Sequence, residues 1–155
     1  MPIARLIRFL DDNSVKYQIL SHSPAYSAQD VAAKAHISGW EVAKTVIVKL
    51  DGMFAMAVLP ASEQIDFEFF EEVTGAREIH LAEEDELLDL FPGCDLGAMP
   101  PFGNLFNMKV YVAPELAEDD FIVFSAGSHT ELLRLAYDDF ERLVEPEMLP
   151  FAVVR

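Results

Sequence analysis

Thr45-Val46-Ile47-Val48-Lys49-Leu50-Asp51-Gly52-Met53-Phe54-Ala55-Met56-Ala57-Val58-Leu59 is the stretch on which the fold turns. Its first six residues are β-branched and mostly apolar, Asp51-Gly52 is a two-residue turn signal, and Met53 to Leu59 returns as a second apolar run. Together they predict a β-hairpin. Pro60 lacks an N–H for the ladder and stops the second strand.

Upstream, Ile3, Leu6, Ile7 and Leu10 recur at helical spacing and predict a helix that ends near Asp12-Asn13-Ser14. Tyr17 to Leu20 reads as a short strand. Ser27 caps an Ala-rich helix through Ala35, with Asp30 in its first turn. Downstream, Asp66 caps a helix to Thr74 that buries Phe67, Phe70 and Val73 and closes at Gly75. Glu78 to Leu81 reads as a strand, and Glu83 to Leu90 as an acidic helix with Leu87, Leu88 and Phe91 inward. Met108 to Ala113 and Phe121 to Ser125 read as strands, and Tyr137 to Leu143 as a helix. With a hairpin and no repeated βαβ unit, this irregular alternation predicts a mixed α+β fold, a sheet flanked by helices.

The chain has 155 residues, 52% of them hydrophobic and 25% charged. Residues 1–155 fit one domain that buries roughly two thirds of its unfolded surface, which excludes disorder and fibrous repeats. One cysteine, Cys94, excludes a disulfide framework and a CxxC pair, so a reducing compartment is expected. No secretory signal and no apolar run of about 18 residues is present, so the expected location is the cytoplasm, with no membrane partner.

Net charge is −16. Residues 63–95 carry −11 and residues 115–154 carry −8, while the remainder carries +3. Broad adhesion to DNA or to an anionic membrane is excluded, and an anionic ligand is expected only on the near-neutral remainder.

Three segments can carry chemistry, the first two of them in that remainder. Lys44 enters the first hairpin strand beside Thr45, where an ammonium set among apolar neighbours attracts phosphate or a carbonyl oxygen more strongly than in water. Its plain alternative is a solvent-facing lysine. Gly97-Ala98-Met99-Pro100-Pro101-Phe102-Gly103 is a shaped loop whose backbone N–H groups at Gly97, Ala98 or Met99 can point at an oxygen, or it is a tight structural turn. Ala126-Gly127-Ser128-His129-Thr130 places three hydrogen-bonding side chains after a glycine, or caps a following helix through Ser128 or Thr130. His22, His36, His80 and His129 form no metal-ligand spacing, so no metal and no cofactor is expected. Cys94 beside Asp95 gains no thiolate stabilisation and reads as a spectator.

In this order, the lysine of Ala43-Lys44-Thr45, the Gly97-x-x-x-Pro101 loop and Ala126 to Thr130 ahead of Glu131-Leu132-Leu133-Arg134-Leu135 resemble the YbaK/aminoacyl-tRNA synthetase-associated domain family. These are free-standing relatives of the editing domain inserted in bacterial prolyl-tRNA synthetase. The resemblance covers about residues 3–145. It implies a curved, largely antiparallel sheet and a metal-independent hydrolase that cleaves the ester of a mischarged aminoacyl-tRNA. It places the family lysine on Lys44, the GxxxP loop on Gly97 to Pro101, and the late segment on Gly127, Ser128, His129 and Thr130. Where some alanine-specific members have Asn after the lysine, this chain has Thr45.

The resemblance implies a catalytic set of Lys44, Gly97 and Ala98. Lys44 holds the terminal phosphate or the α-amino region, and the Gly97 and Ala98 N–H groups stabilise the oxyanion. Thr45, Met99, Pro100, Pro101, Gly127, Ser128 and His129 then line the substrate. Water attacks, aided by a hydroxyl of the terminal ribose. The expected substrate is a tRNA acceptor end carrying Ala, Ser, Thr or Cys, with an aminoacyl-tRNA synthetase as a partner. Two rivals stand beside this reading: a non-catalytic module that binds a tRNA end, a nucleotide or a synthetase, and a Cys94-dependent hydrolase or thiol sensor.

Overall fold

A computed structural model describes residues 3–21 and 42–154. The helix expected over 27–35, together with His22 and His36, lies outside those residues. Helix α1 (Ala4–Asp12) packs Leu6 and Leu10 fully into the core, as their spacing predicts. Strand β1 (Tyr17–Ser21) follows it.

The hairpin forms where expected. Strands β2 (Ala43–Leu50) and β3 (Met53–Pro60) pair antiparallel along their whole length, and Asp51 turns between them at φ 49°. The Asp51 carboxylate accepts the N–H groups of Arg77 and Glu78 at 3.0–3.1 Å. That contact delivers β5 (Ile79–Leu81) antiparallel to the turn-proximal end of β2.

A short strand unforeseen in the sequence, β4 (Glu63–Ile65), precedes helix α2 (Phe67–Thr74). Asp66 caps α2 by accepting the Phe69 N–H at 3.1 Å, and Phe70 is buried and stacked 4.6 Å from Phe151. Helix α3 (Glu84–Leu90) follows β5. One expectation fails there: Leu88 is 58% exposed, because Leu87 and Phe91, four apart, share the inward face and Leu88 is rotated off it.

Strand β6 (Lys109–Val112) runs parallel to β3 and leads into a 3-10 turn (Pro114–Glu118). Strand β7 (Phe121–Ser125) then pairs antiparallel with β8 (Glu131–Ala136), and β8 with β1. No helix starts after Thr130, so the capping alternative is overturned. Helix α4 (Tyr137–Val144) and two short strands, β9 (Glu147–Met148) and β10 (Ala152–Val154), complete the described chain.

The strands form a five-stranded mixed sheet in the order β5-β2-β3-β6-β9, a three-stranded antiparallel sheet β1-β8-β7, and the antiparallel pair β10-β4. The fold is mixed α+β, mostly antiparallel, with β3–β6 and β6–β9 as its parallel pairs. A parallel bridge between Val42 and Val123 joins the two larger sheets.

One face of the larger sheet carries Ala43, Ile47, Met56 and Val58 into a core centred on Phe102, which has Phe9, Phe124 and Phe140 at 5.5–6.2 Å. The other face carries Val48, Ala57 and Leu59 onto Phe70, Tyr111 and Phe151. Among the described residues, no helix is long and apolar enough to cross a membrane.

Candidate active site

The two larger sheets part just beyond their bridge. β2 meets β7 at Val42 and meets β5 only from Val48 onward, so the outer edge of β2 between them carries no paired strand among the described residues. The Ala61 N–H donates to the Val42 carbonyl at 2.8 Å, which fixes the even-numbered residues of β2 as those bonded to β3. Odd-numbered residues therefore aim their main-chain groups outward. The Ile47 carbonyl accepts the Ala82 N–H at 3.0 Å, and Thr45 faces the gap. Thr45 on β2 and Ala126 after β7 each lie three residues past the bridge.

The two loops singled out in the sequence meet here. The Gly127 N–H donates to the Ala98 carbonyl at 2.8 Å, and a Cβ on Gly97 would lie 3.8 Å from Cε1 of His129. Asp95 ties them together. Its N–H donates to the Gly127 carbonyl at 2.8 Å, its carbonyl accepts the Ala98 N–H at 3.0 Å, and its Oδ2 accepts the His129 N–H at 3.1 Å. Gly127 has φ +103°, and a Cβ there would sit 2.5 Å from Cγ2 of Ile3, so this position requires glycine. Ser128 Oγ lies 3.4 Å from Thr130 Oγ1, within the turn itself.

Several expected roles change. The Ala98 N–H is committed to Asp95 and Ala98 is fully buried, so Ala98 is no oxyanion donor. Exposed Gly97 at the crest of the loop has an N–H with no partner among the described residues. Met99, Pro100 and Pro101 are buried, and Met99 joins the core around Phe102, so these residues brace the loop from beneath.

Strand alternation separates Lys44 from the loops. Lys44 shares its face with Val46 and Val48, which pack on the Phe70 side, whereas Thr45 shares its face with Ala43 and Ile47, on the side that holds Met99. Burial pulls the Lys44 ammonium below the usual lysine range, against the opposing pull of Glu63. Thr45 Oγ1 is buried with no hydrogen-bond partner among the described residues.

Burial, reinforced by Asp95, pushes the Cys94 thiol up and leaves it protonated at neutral pH, which weighs against a thiolate nucleophile. Among the described residues, no group of three or more His, Cys, Asp or Glu side chains could hold a metal ion. Sequence reasoning passed over Asp95, whose role rests on main-chain bonds that no motif spells out, and Glu63, a charged residue in an acidic run that nevertheless is 2% exposed.

Comparison with known proteins gives a consistent pattern. The aminoacyl-tRNA editing domain family matches residues 22–143. The Multifunctional Ser/Thr-tRNA deacylase ProXp-y of Escherichia coli (strain K12) is 28% identical over 95% of this chain and 90% of its own length. The crystal structure of the hypothetical protein APE2540 superposes with a TM-score of 0.85 at 19% identity, covering 96% of this chain and 99% of that one. A protein described as a candidate trans-editing enzyme for prolyl-tRNA synthetase does so with a TM-score of 0.80 at 16% identity, covering 96% and 95%.

Proposed function

The chain belongs to the aminoacyl-tRNA editing domain family, and from that premise we propose that residues 1–155 form one editing domain that hydrolyses the ester of a mischarged aminoacyl-tRNA in trans. The observation that carries the reading is the junction of the Gly97 loop with Gly127 to Thr130 at the parting of β2 and β7.

Water attacks the ester carbonyl carbon, and the carbonyl oxygen gains negative charge toward the Gly97 N–H. The bond from carbon to the ribose oxygen then breaks, and the proton of the attacking water passes to that oxygen. Withdrawing one such donor costs about 3–4 kcal/mol of transition-state stabilisation. His129 and Ser128 border the acyl group. Lys44, on the other sheet face, serves the phosphate of the terminal nucleotide, since an ammonium would repel the substrate's own α-ammonium group.

The acyl group is a seryl or threonyl residue. The relative named as a Ser/Thr-tRNA deacylase supports this. With −19 of charge on the two acidic segments, contact is confined to the acceptor end, and a synthetase supplies the basic surface for the tRNA body.

Deacylation of Ala-, Ser-, Thr- and Cys-charged tRNAs tests the reading. Release of serine and threonine is expected, with Lys44→Ala lowering kcat/KM by about 100-fold. Ligand-dependent thermal stabilisation without hydrolysis of any of the four would instead establish the non-catalytic binding module.

A further inference from the structure

Three segments converge at the end of the hairpin remote from Asp51. The Ala61 N–H bonds to the Val42 carbonyl at 2.8 Å and turns the chain back, so that Glu63 lies beside the start of β2. The Ala113 N–H bonds to the Val58 carbonyl at 2.9 Å and brings Glu115, one turn further on, to the same place. Glu63 is the buried charged residue among the described residues, at 2% exposure. Its Oε1 and the Oε2 of Glu115 are both buried without a hydrogen-bond partner.

Two neighbouring carboxyl groups that each bury an acceptor without a donor are costly, and two full negative charges there cost more. One proton between them converts the conflict into a carboxylic acid donating to a carboxylate. The charged groups that act on Glu63 are Lys44 from β2 and Glu115 and Glu118 from the 3-10 turn. β4 itself adds none beyond Glu63.

We propose that Glu63 is a positioning residue for Lys44: it shares a proton with Glu115 while Lys44 holds the anionic group of the substrate, and on losing that proton to solvent it draws the Lys44 ammonium into an ion pair and away from the substrate. The inference rests on the reading of Lys44 as an anion-holding residue. Burial first, then Glu115 and Glu118, push the Glu63 carboxyl up to about 7, with Lys44 opposing, so the switch falls within the working range of a cell.

The test is the pH dependence of KM and kcat for deacylation between about pH 6 and about pH 8.5, alongside a carbon-13 NMR titration of the Glu63 carboxyl in the unliganded chain. In the native protein KM should climb with pH, by at most about tenfold per unit, while kcat stays level. Glu63→Gln, fixed in the protonated shape, should remove the pH dependence of KM, and Glu63→Asp should restore it. A Glu63→Gln profile that matches the native one, in a chain that Lys44→Ala still cripples, would overturn the role of Glu63 and leave that of Lys44 standing. Full activity in Lys44→Ala removes the reading of Lys44 and this inference with it. A Glu63 resonance that titrates with ordinary glutamates overturns the proposal even where the variants fail to fold.

Discussion

The carboxylate of Asp95 accepts the His129 N–H at 3.1 Å while the Asp95 N–H donates to the Gly127 carbonyl at 2.8 Å, so one short side chain and its own main chain clamp both loops of the candidate site. Asp95 is exposed, so the clamp adds little to global stability but much to loop position. Asp95→Ala should lower kcat by about 10- to 100-fold, equivalent to about 1.4–2.8 kcal/mol, with melting temperature little changed. A variant that deacylates at the native rate would dismiss the clamp.

Gly127→Ala meets two obstacles at once, a φ of +103° and the Ile3 Cγ2 at 2.5 Å. A loss of about 2–4 kcal/mol in denaturant unfolding is expected. Pairing it with Ile3→Ala should relieve the clash and leave the backbone strain, so the double variant recovers part of the loss and not all of it.

Glu63 gives a pH signature in stability as well as in activity. Its folded-state value near 7 lies above an unfolded value near 4.5, so the folded chain holds a proton that the unfolded chain has released between those limits. The contribution of Glu63 is therefore greatest below the lower limit and is lost as pH rises to the upper one, by up to about 3 kcal/mol. Urea unfolding of the native protein and Glu63→Gln at matched pH should show the two converging below about pH 4.5 and the native protein losing ground above it.

Cys94→Ser should retain full deacylation, and Cys94 itself should react slowly with alkylating agents at neutral pH, because its thiol is held protonated. Rapid labelling that abolishes activity would revive the thiol-dependent reading.

Local chemistry made much of the fold legible. Asp51-Gly52 announces its turn, and Asp66 with Gly75 brackets α2 at both ends. Strand β8 was hidden because Glu, Leu, Arg and Ala favour helix, and Glu131–Ala136 extends only because β1 and β7 flank it on both sides. In the site, the glycine-bearing loops could be read directly, since glycine and proline constrain the chain by themselves. Which face of β2 carries Lys44 depends on pairing with β3, and whether the Ala98 N–H is available depends on a turn at Asp95. Both are decided by the partner segment and not by the residue.

The parting of β2 from β7 also bears on how such a protein can change over generations. The donor proposed there, the Gly97 N–H, and the outward main-chain groups of Thr45 belong to the polypeptide backbone, which every amino acid shares. On the proposed reading, substitution at position 45 or 128 reshapes which acyl group is admitted while those groups stay in place. Acceptance of a new acyl group and retention of ester cleavage would then be separable by single mutations, giving a lineage room to drift between amino-acid specificities without passing through an inactive intermediate.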